Sequence, residues 1–222
     1  MTATPTDPRT VARWAVVVPV KQLALAKTRL TRHAGDRRAQ LALAFAADTV
    51  AAALACPAVA GVVVVTDDVE VASLARTMGA TVVTDAPAAG LNPALVHGAD
   101  QAVAAFPGLS LAALSSDLPA LRPAELAQAL DAALSYSTAF VSDAEGIGTT
   151  LLTATTREAF DPRFGHRSRA AHRSAGVVEL TQAGLASLRR DVDTEVDLYD
   201  AERLGLGERS RVAVADLRRD QG

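Results

Sequence analysis

The sequence predicts an α/β protein: a single three-layer α/β/α domain built on a mostly parallel sheet. Three observations point there. Trp14–Val20 and Gly61–Thr66 are apolar, Val-rich runs, the pattern of strands covered on both faces. Asp36–Ala55 is rich in Ala and Leu and contains no Gly or Pro, which favours a long helix. Strand-like and helix-like segments also alternate along the chain, as parallel β-α-β units require.

Trp14–Val20 is expected to be the first, central strand. A loop holding Lys21, Lys27 and Arg29 leads into the helix over Asp36–Ala55, and Pro57 follows its end. Gly61–Thr66 is the second strand. It closes in Thr66-Asp67-Asp68, where either aspartate can cap a helix running to about Met78, and Gly79 ends that helix before a short strand over Thr81–Val83. The turn-rich loop Pro87–Pro93 opens a helix whose first turn tolerates Pro93. Leu111–Ser115 is the fourth strand, running into Ser116-Asp-Leu-Pro119, and a helix follows from about Pro123 to Leu134. Thr138–Val141, Thr149–Thr153 and Val177–Leu180 are shorter strand candidates, and a last helix lies near Glu195–Leu204. Residues 1–10, polar and rich in Pro and Thr, are expected to be a flexible N-terminus, and residues 11–222 to form the domain, with no internal repeat or linker. In such a sheet the ligand sits at the carboxyl ends of the parallel strands.

Composition narrows the function. The 222 residues carry 22 Lys plus Arg against 25 Asp plus Glu, a net charge of −3, with no long basic run to supply a nucleic-acid footprint. Cys56 is the only cysteine, which excludes an intramolecular disulfide and any multi-cysteine metal site. The longest apolar stretches, around Leu41–Leu54 and Ala99–Phe106, carry Asp48 and Asp100 and fall short of the roughly 20 residues a membrane span needs. The N-terminus lacks the apolar core of a secretion signal, so the expected location is the cytoplasm, without a membrane partner.

Candidate chemistry lies in the loops after the strands. Lys21, Lys27 and Arg29 put three cations within nine positions, suited to a polyphosphate, although solvated surface cations give the same pattern and the glycine spacing of a P-loop is missing. Asp117 stands just beyond a buried strand, where it could hold a divalent metal or simply cap a helix. Asp191 and Asp193, two apart, point the same way in an extended segment and could share that metal if the chain returns to the sheet there. Hard oxygen ligands and a phosphate substrate favour Mg²⁺. Asp197 and Asp200 read as helix-surface or capping groups. Gly146–Leu152 and Phe164–Ser168 could offer N–H groups and hydroxyls to a small anion, or be turns without a ligand. His166 and His172 read as surface or helix residues, because a phosphate nucleophile is already ionised at neutral pH and needs no base.

At these residues the chain resembles nucleotidyltransferases of the nucleotide-diphospho-sugar transferase (glycosyltransferase-A-like) fold. Within them it is similar to the phosphoenolpyruvate or 2-phospho-L-lactate guanylyltransferases of deazaflavin coenzyme F-420 biosynthesis. The resemblance spans nearly the whole chain. It rests on Val18-Pro-Val-Lys21, Ala26-Lys-Thr-Arg-Leu30, Gly90-Leu-Asn92, Ser116-Asp-Leu-Pro119, Gly148-Thr-Thr-Leu-Leu152, Phe164-Gly-His-Arg-Ser168 and Asp191-Val-Asp-Thr194. The Pro-Val-Lys start of the first loop separates the chain from molybdenum-cofactor and sugar-nucleotide relatives.

The resemblance implies transfer of GMP from GTP to the phosphate of a three-carbon phosphoacid, with phosphoenolpyruvate the first expectation and 2-phospho-L-lactate the alternative. It assigns Mg²⁺ to Asp117, Asp191 and Asp193. It gives the acceptor to Thr149, Gly165 and Ser168, with Thr149 and Gly165 acting through backbone amides. Lys21, Lys27 and Arg29 meet the GTP phosphates; Gly90 and Asn92 lie near the nucleoside, with Thr66 a further candidate there. It also implies hand-over of the product to a downstream deazaflavin transferase. Another nucleotidyltransferase activity, or a catalytically silent nucleotide-binding protein, are the competing readings. The sequence allows a homodimer without specifying one.

Overall fold

A computed structural model describes residues 13–21, 23, 35–86 and 88–219 of the chain. The first half runs β1 (Trp14–Pro19), α1 (Gly35–Leu54), β2 (Val59–Val65), α2 (Val69–Thr77), β3 (Thr81–Val83), α3 (Leu91–Ala105), β4 (Ser110–Leu114) and α4 (Pro123–Ala133). The second half adds β5 (Thr138–Ser142), β6 (Thr149–Ala154), α5 (Ser168–Ser174), β7 (Val178–Glu179), α6 (Ala186–Arg189), α7 (Glu195–Leu204) and α8 (Glu208–Arg219). Among the described residues no helix is long and apolar enough to cross a membrane.

The seven strands form one sheet in the order β3-β2-β1-β4-β6-β5-β7. Every neighbouring pair is parallel except the two that β6 makes, with β4 and with β5. The mostly parallel sheet expected from the Val-rich runs is therefore present, with one reversed strand. That reversal has a consequence for the site: the amino end of β6 lies on the same edge as the carboxyl ends of its parallel neighbours. There Ser115 N–H donates to the Thr150 carbonyl at 2.8 Å, joining the exit of β4 to the start of β6.

Strand alternation divides the core into two layers. Trp14, Val16 and Val18 of β1 pack with Val62, Val64 and Leu114 against α1, α2 and α4. Ala15 and Val17 face the other way, with Val63, Val65 and Phe140, against Ala94, Leu95, Ala99 and Ala102 of α3. A third cluster on the outer face of α1 joins Leu41 and Phe45 to Leu198 of α7 and to Val214 and Leu217 of α8. Helix α8 lies beyond the last helix expected from the sequence. It is tied to α1 by the buried carboxylate of Asp48, which accepts the Arg209 and Ser210 N–H groups at 3.3 and 2.7 Å and so satisfies donors at the start of α8. Gly207 is required at that junction, because an added Cβ would collide with the Asp48 carboxyl.

Local capping follows the sequence closely. Of the two aspartates after β2, Asp68 is the cap of α2, accepting from Glu70 and Val71 N–H, while Asp67 accepts from Asp85 N–H across the turn after β3. Asp197 completes a capping box with Thr194 at the start of α7. It is a capping group, as expected, but a buried one, ion-paired to Arg190 at 3.0 Å.

Candidate functional site

The strand order turns outward in both directions from β1, and a crevice opens at such a switch point above the carboxyl ends. A cleft of about 420 Å³ occupies that place. Pro19, Val20 and Lys21 from the end of β1 line it on one side, and Leu114, Ser115, Ser116 and Asp117 from the end of β4 on the other. Leu91 and Leu95 of α3, Phe164 and Asp193 complete the wall. A cation and two carboxylates thus share a cleft with an apolar flank, the composition of a site for a ligand with a flat ring and a charged tail.

Each acidic residue is placed by a traceable set of bonds. Thr49, buried in α1, accepts Leu118 N–H at 3.1 Å, and its hydroxyl, which donates to the Phe45 carbonyl at 2.8 Å, also stands 3.2 Å from the Ser116 carbonyl, so α1 meets both neighbours of Asp117. The returning segment docks on the same loop, with Val192 N–H donating to the Asp117 carbonyl at 3.1 Å. Arg190 steadies that segment through Asp197 at 3.0 Å and Asp200 at 3.2 Å. The chain therefore does return to the sheet at residues 191–193, the condition on which a shared site depended. A fourth carboxylate, Asp143, follows the end of β5. It accepts Ile147 N–H at 2.8 Å and Gly148 N–H at 2.6 Å, and the Cβ of any residue larger than glycine at 148 would overlap its carboxylate.

The charges of this group act on one another. Burial first, then the negative charges of Asp117, Asp143 and Asp193, push the Asp191 carboxyl up from 3.8 to about 8. A buried carboxyl crowded by negative charge is matched by a divalent cation, and an all-oxygen donor set suits Mg²⁺. Among the described residues no three His, Cys, Asp or Glu side chains are gathered around one point as a formed cation cage. Mg²⁺ does not require one: it characteristically takes one or two carboxylates and completes its shell with water and substrate phosphate oxygens.

Residues 149 and 163–172 stand beside the cleft, with Phe164 the one of them in its lining. Thr149 and Ser168 are buried, and Gly165 is exposed with φ +128°. His172 ties them together. It is fully buried, which pulls its ring from 6.5 to about 4, so it is a neutral imidazole at physiological pH. Arg163 N–H donates to Nε2 at 3.1 Å; the ring proton therefore sits on Nδ1, 3.0 Å from the Thr149 hydroxyl. Of the two readings of His172, surface or helix residue, the helix is the one observed: it is buried on α5, and Phe140 and Phe164 each stand 5.5 Å from its ring.

Several other expectations find their places here. Lys21 is exposed and lines the cleft, whereas Lys27 and Arg29 lie outside the described residues. Gly90, at φ +108°, caps the start of α3. Asn92 gives both halves of its carboxamide to the backbone of Phe164, linking the start of α3 to the loop before α5. Thr66, Thr149, Gly165 and Ser168 are not among the residues that line the cleft; Thr66 is buried, and its hydroxyl accepts Asp68 N–H at 3.1 Å in a turn. Sequence reasoning missed Asp143 and the His172 bridge. For Asp143 a signal existed, since it is a carboxylate just past a strand, the same feature that singled out Asp117. A second hollow of about 400 Å³, beside Gly146 and Arg167, is arginine-lined, but Arg169 and Arg173 there already face Glu179 at 2.8 and 3.9 Å.

Comparison with known proteins agrees with this geometry. A family model described as guanylyl transferase CofC like matches residues 14–214. A phosphoenolpyruvate guanylyltransferase of Thermomonospora curvata is 55% identical over 204 residues, covering 92% of this chain and 90% of the relative. One from Streptomyces coelicolor is 55% identical over 206 residues, covering 92% and 97%. Among solved structures, a cytidylyltransferase from Leptospira borgpetersenii superposes with a TM-score of 0.58 over 94% of this chain and 95% of its own; at 11% identity it speaks for the fold alone.

Proposed function

The chain belongs to the CofC-like guanylyl transferase family, and on that premise we propose that it transfers the guanylyl group of GTP to phosphoenolpyruvate with release of pyrophosphate. The observation that carries this reading is the cleft at the β1/β4 switch point, which gathers Lys21, Asp117 and Asp193 and is walled by Phe164, the neighbour of Gly165. A phosphate oxygen of the acceptor attacks the α-phosphorus of GTP; the new phosphorus–oxygen bond forms as the bond to the β-phosphate breaks, and that electron pair leaves on pyrophosphate.

Both reactants are anions, and the acceptor phosphate is ionised at neutral pH. Catalysis therefore depends on neutralisation and in-line placement rather than on a protein nucleophile or base. Lys21 answers the charge of the polyphosphate, joined on the same loop by Lys27 and Arg29. Leu91, Leu95 and Phe164 supply apolar surface for the nucleoside end. Thr149, Gly165 and Ser168 receive the carboxylate of the acceptor, with the His172 bridge holding Thr149 to the backbone of residue 163. Asp117, Asp191 and Asp193 are the residues that would hold Mg²⁺, and Asp143 adds its charge to theirs. The ion, when bound, lowers the repulsion between the two phosphate groups and aligns them.

The product, an enolpyruvate joined to guanosine diphosphate, fits deazaflavin coenzyme F-420 assembly in the cytoplasm, where a downstream transferase would take it on. The test is initial-rate pyrophosphate release over a matrix of GTP, ATP, CTP and UTP against phosphoenolpyruvate, 2-phospho-L-lactate and 3-phospho-D-glycerate. Dependence on GTP with phosphoenolpyruvate preferred supports the reading. Preference for a pyrimidine nucleotide overturns the guanylyl assignment, and preference for phospholactate overturns the acceptor.

A further inference from the structure

We propose that Asn92 and His172 are positioning residues that clamp the acceptor loop, residues 163–168, to the cleft from two sides. The clamp consists of side-chain bonds to consecutive backbone groups, at residues 163 and 164, in the stretch that precedes α5. On one side the Asn92 Oδ1 accepts Phe164 N–H at 2.8 Å while its Nδ2 donates to the Phe164 carbonyl at 3.0 Å. Two bonds from one planar group fix the orientation of that residue's backbone as well as its place. On the other side the preceding N–H, of Arg163, donates to His172 Nε2 at 3.1 Å, and His172 Nδ1 reaches the Thr149 hydroxyl at 3.0 Å.

The clamp joins four separate parts of the fold: the start of α3, the acceptor loop, α5 and the start of β6. The ring of Phe164 closes it, lining the cleft while standing edge-on to His172. Asn92 therefore does not have to read the nucleoside to matter to the reaction; it holds the wall against which the acceptor is received. His172, with both ring nitrogens in hydrogen bonds and no exposed surface, has no proton to exchange with substrate and acts by holding Thr149 and residue 163 at a fixed separation. This inference rests on the reading of Thr149, Gly165 and Ser168 as the acceptor's receptor.

The test uses the full chain carrying Asn92→Ala, His172→Phe or His172→Gln, with two readouts. The first is amide hydrogen exchange at Arg163 and Phe164, the donors in the clamp, which should quicken about tenfold or more in Asn92→Ala and His172→Phe. The second is steady-state kinetics: the KM for phosphoenolpyruvate should rise about tenfold while that for GTP stays within about threefold, as loss of acceptor placement requires. His172→Gln, which keeps an acceptor for Arg163 N–H, should recover part of both effects. Unchanged protection of residues 163 and 164 overturns the clamp, and so does a KM increase confined to GTP, which would put Asn92 on the nucleotide. Asn92 is half-buried at the start of a helix, so Asn92→Ala decides the matter even if His172→Phe does not fold. A wild-type chain silent with phosphoenolpyruvate defeats the proposed function instead, and the exchange experiment then still decides the clamp.

Discussion

Mg²⁺ binding should carry a proton signature that belongs to Asp191. With its carboxyl raised to about 8, Asp191 is mostly protonated at pH 6 and ionises as pH approaches 8, so the apparent affinity for Mg²⁺ should rise by about tenfold or more between these values. Near pH 7 the ion should displace close to one proton. The sign also bears on stability. The folded chain keeps a proton that the unfolded chain releases between about pH 3.8 and 8, so without the cation this group makes the fold less stable as pH rises through that window. Calorimetric titration with Mg²⁺ in two buffers of different ionisation enthalpy measures both affinity and proton release, and Asp191→Asn supplies the control in which the pH dependence should flatten. An affinity that is constant from pH 6 to 8 with no proton release would refute the claim that Asp191 lies in the cation's site.

Three further outcomes follow from single contacts. Gly148→Ala drives a Cβ into the Asp143 carboxylate and breaks its bonds from Ile147 and Gly148 N–H; a loss of about 2–4 kcal/mol in urea unfolding is expected, together with weakened Mg²⁺ binding. Asp48→Ala removes the acceptor for two N–H groups at the start of α8 and should cost about 2–3 kcal/mol, a fall in Tm of about 5–10 °C by calorimetry. His172 gives the opposite pH slope to Asp191. Its folded value near 4 lies below the ordinary 6.5, so the unfolded chain binds the extra proton and stability should rise by up to about 3 kcal/mol from pH 4 to 6.5. Urea unfolding across that range should show this rise in the wild type and lose it in His172→Gln; identical curves would refute the assignment.

The sequence was most legible where one local signal decides the structure. The Val runs of β1 and β2, the capping aspartate of α2 and the Gly- and Pro-free α1 all stand close to the positions expected for them. Helices α5 and α6 are short, and their positions depend on tertiary partners such as Phe140 around His172 and Glu125 bonded to Ser187 N–H. Helix α8 carries a readable stripe, with Ser210, Val214 and Leu217 on its buried side, among many arginines and acids. At the site, the distance in sequence between Asp117 and Asp191 is closed by the Val192 bond to the Asp117 carbonyl, which no spacing rule foretells. Asp143 was hidden because Asp-Ala-Glu-Gly looks like an ordinary polar turn. The roles of Asn92 and His172 depend on backbone groups 72 and 9 residues away and become visible only when the chain is folded.

The central claim is that one cleft brings GTP and phosphoenolpyruvate together for guanylyl transfer, and the mass of the product tests it most directly. Incubation of the chain with GTP, phosphoenolpyruvate and Mg²⁺ should yield an enolpyruvate linked to guanosine diphosphate and an equal amount of pyrophosphate, and Asp117→Ala should yield neither while remaining folded. Pyrophosphate without the conjugate, or an Asp117→Ala chain as active as the wild type, would contradict the account.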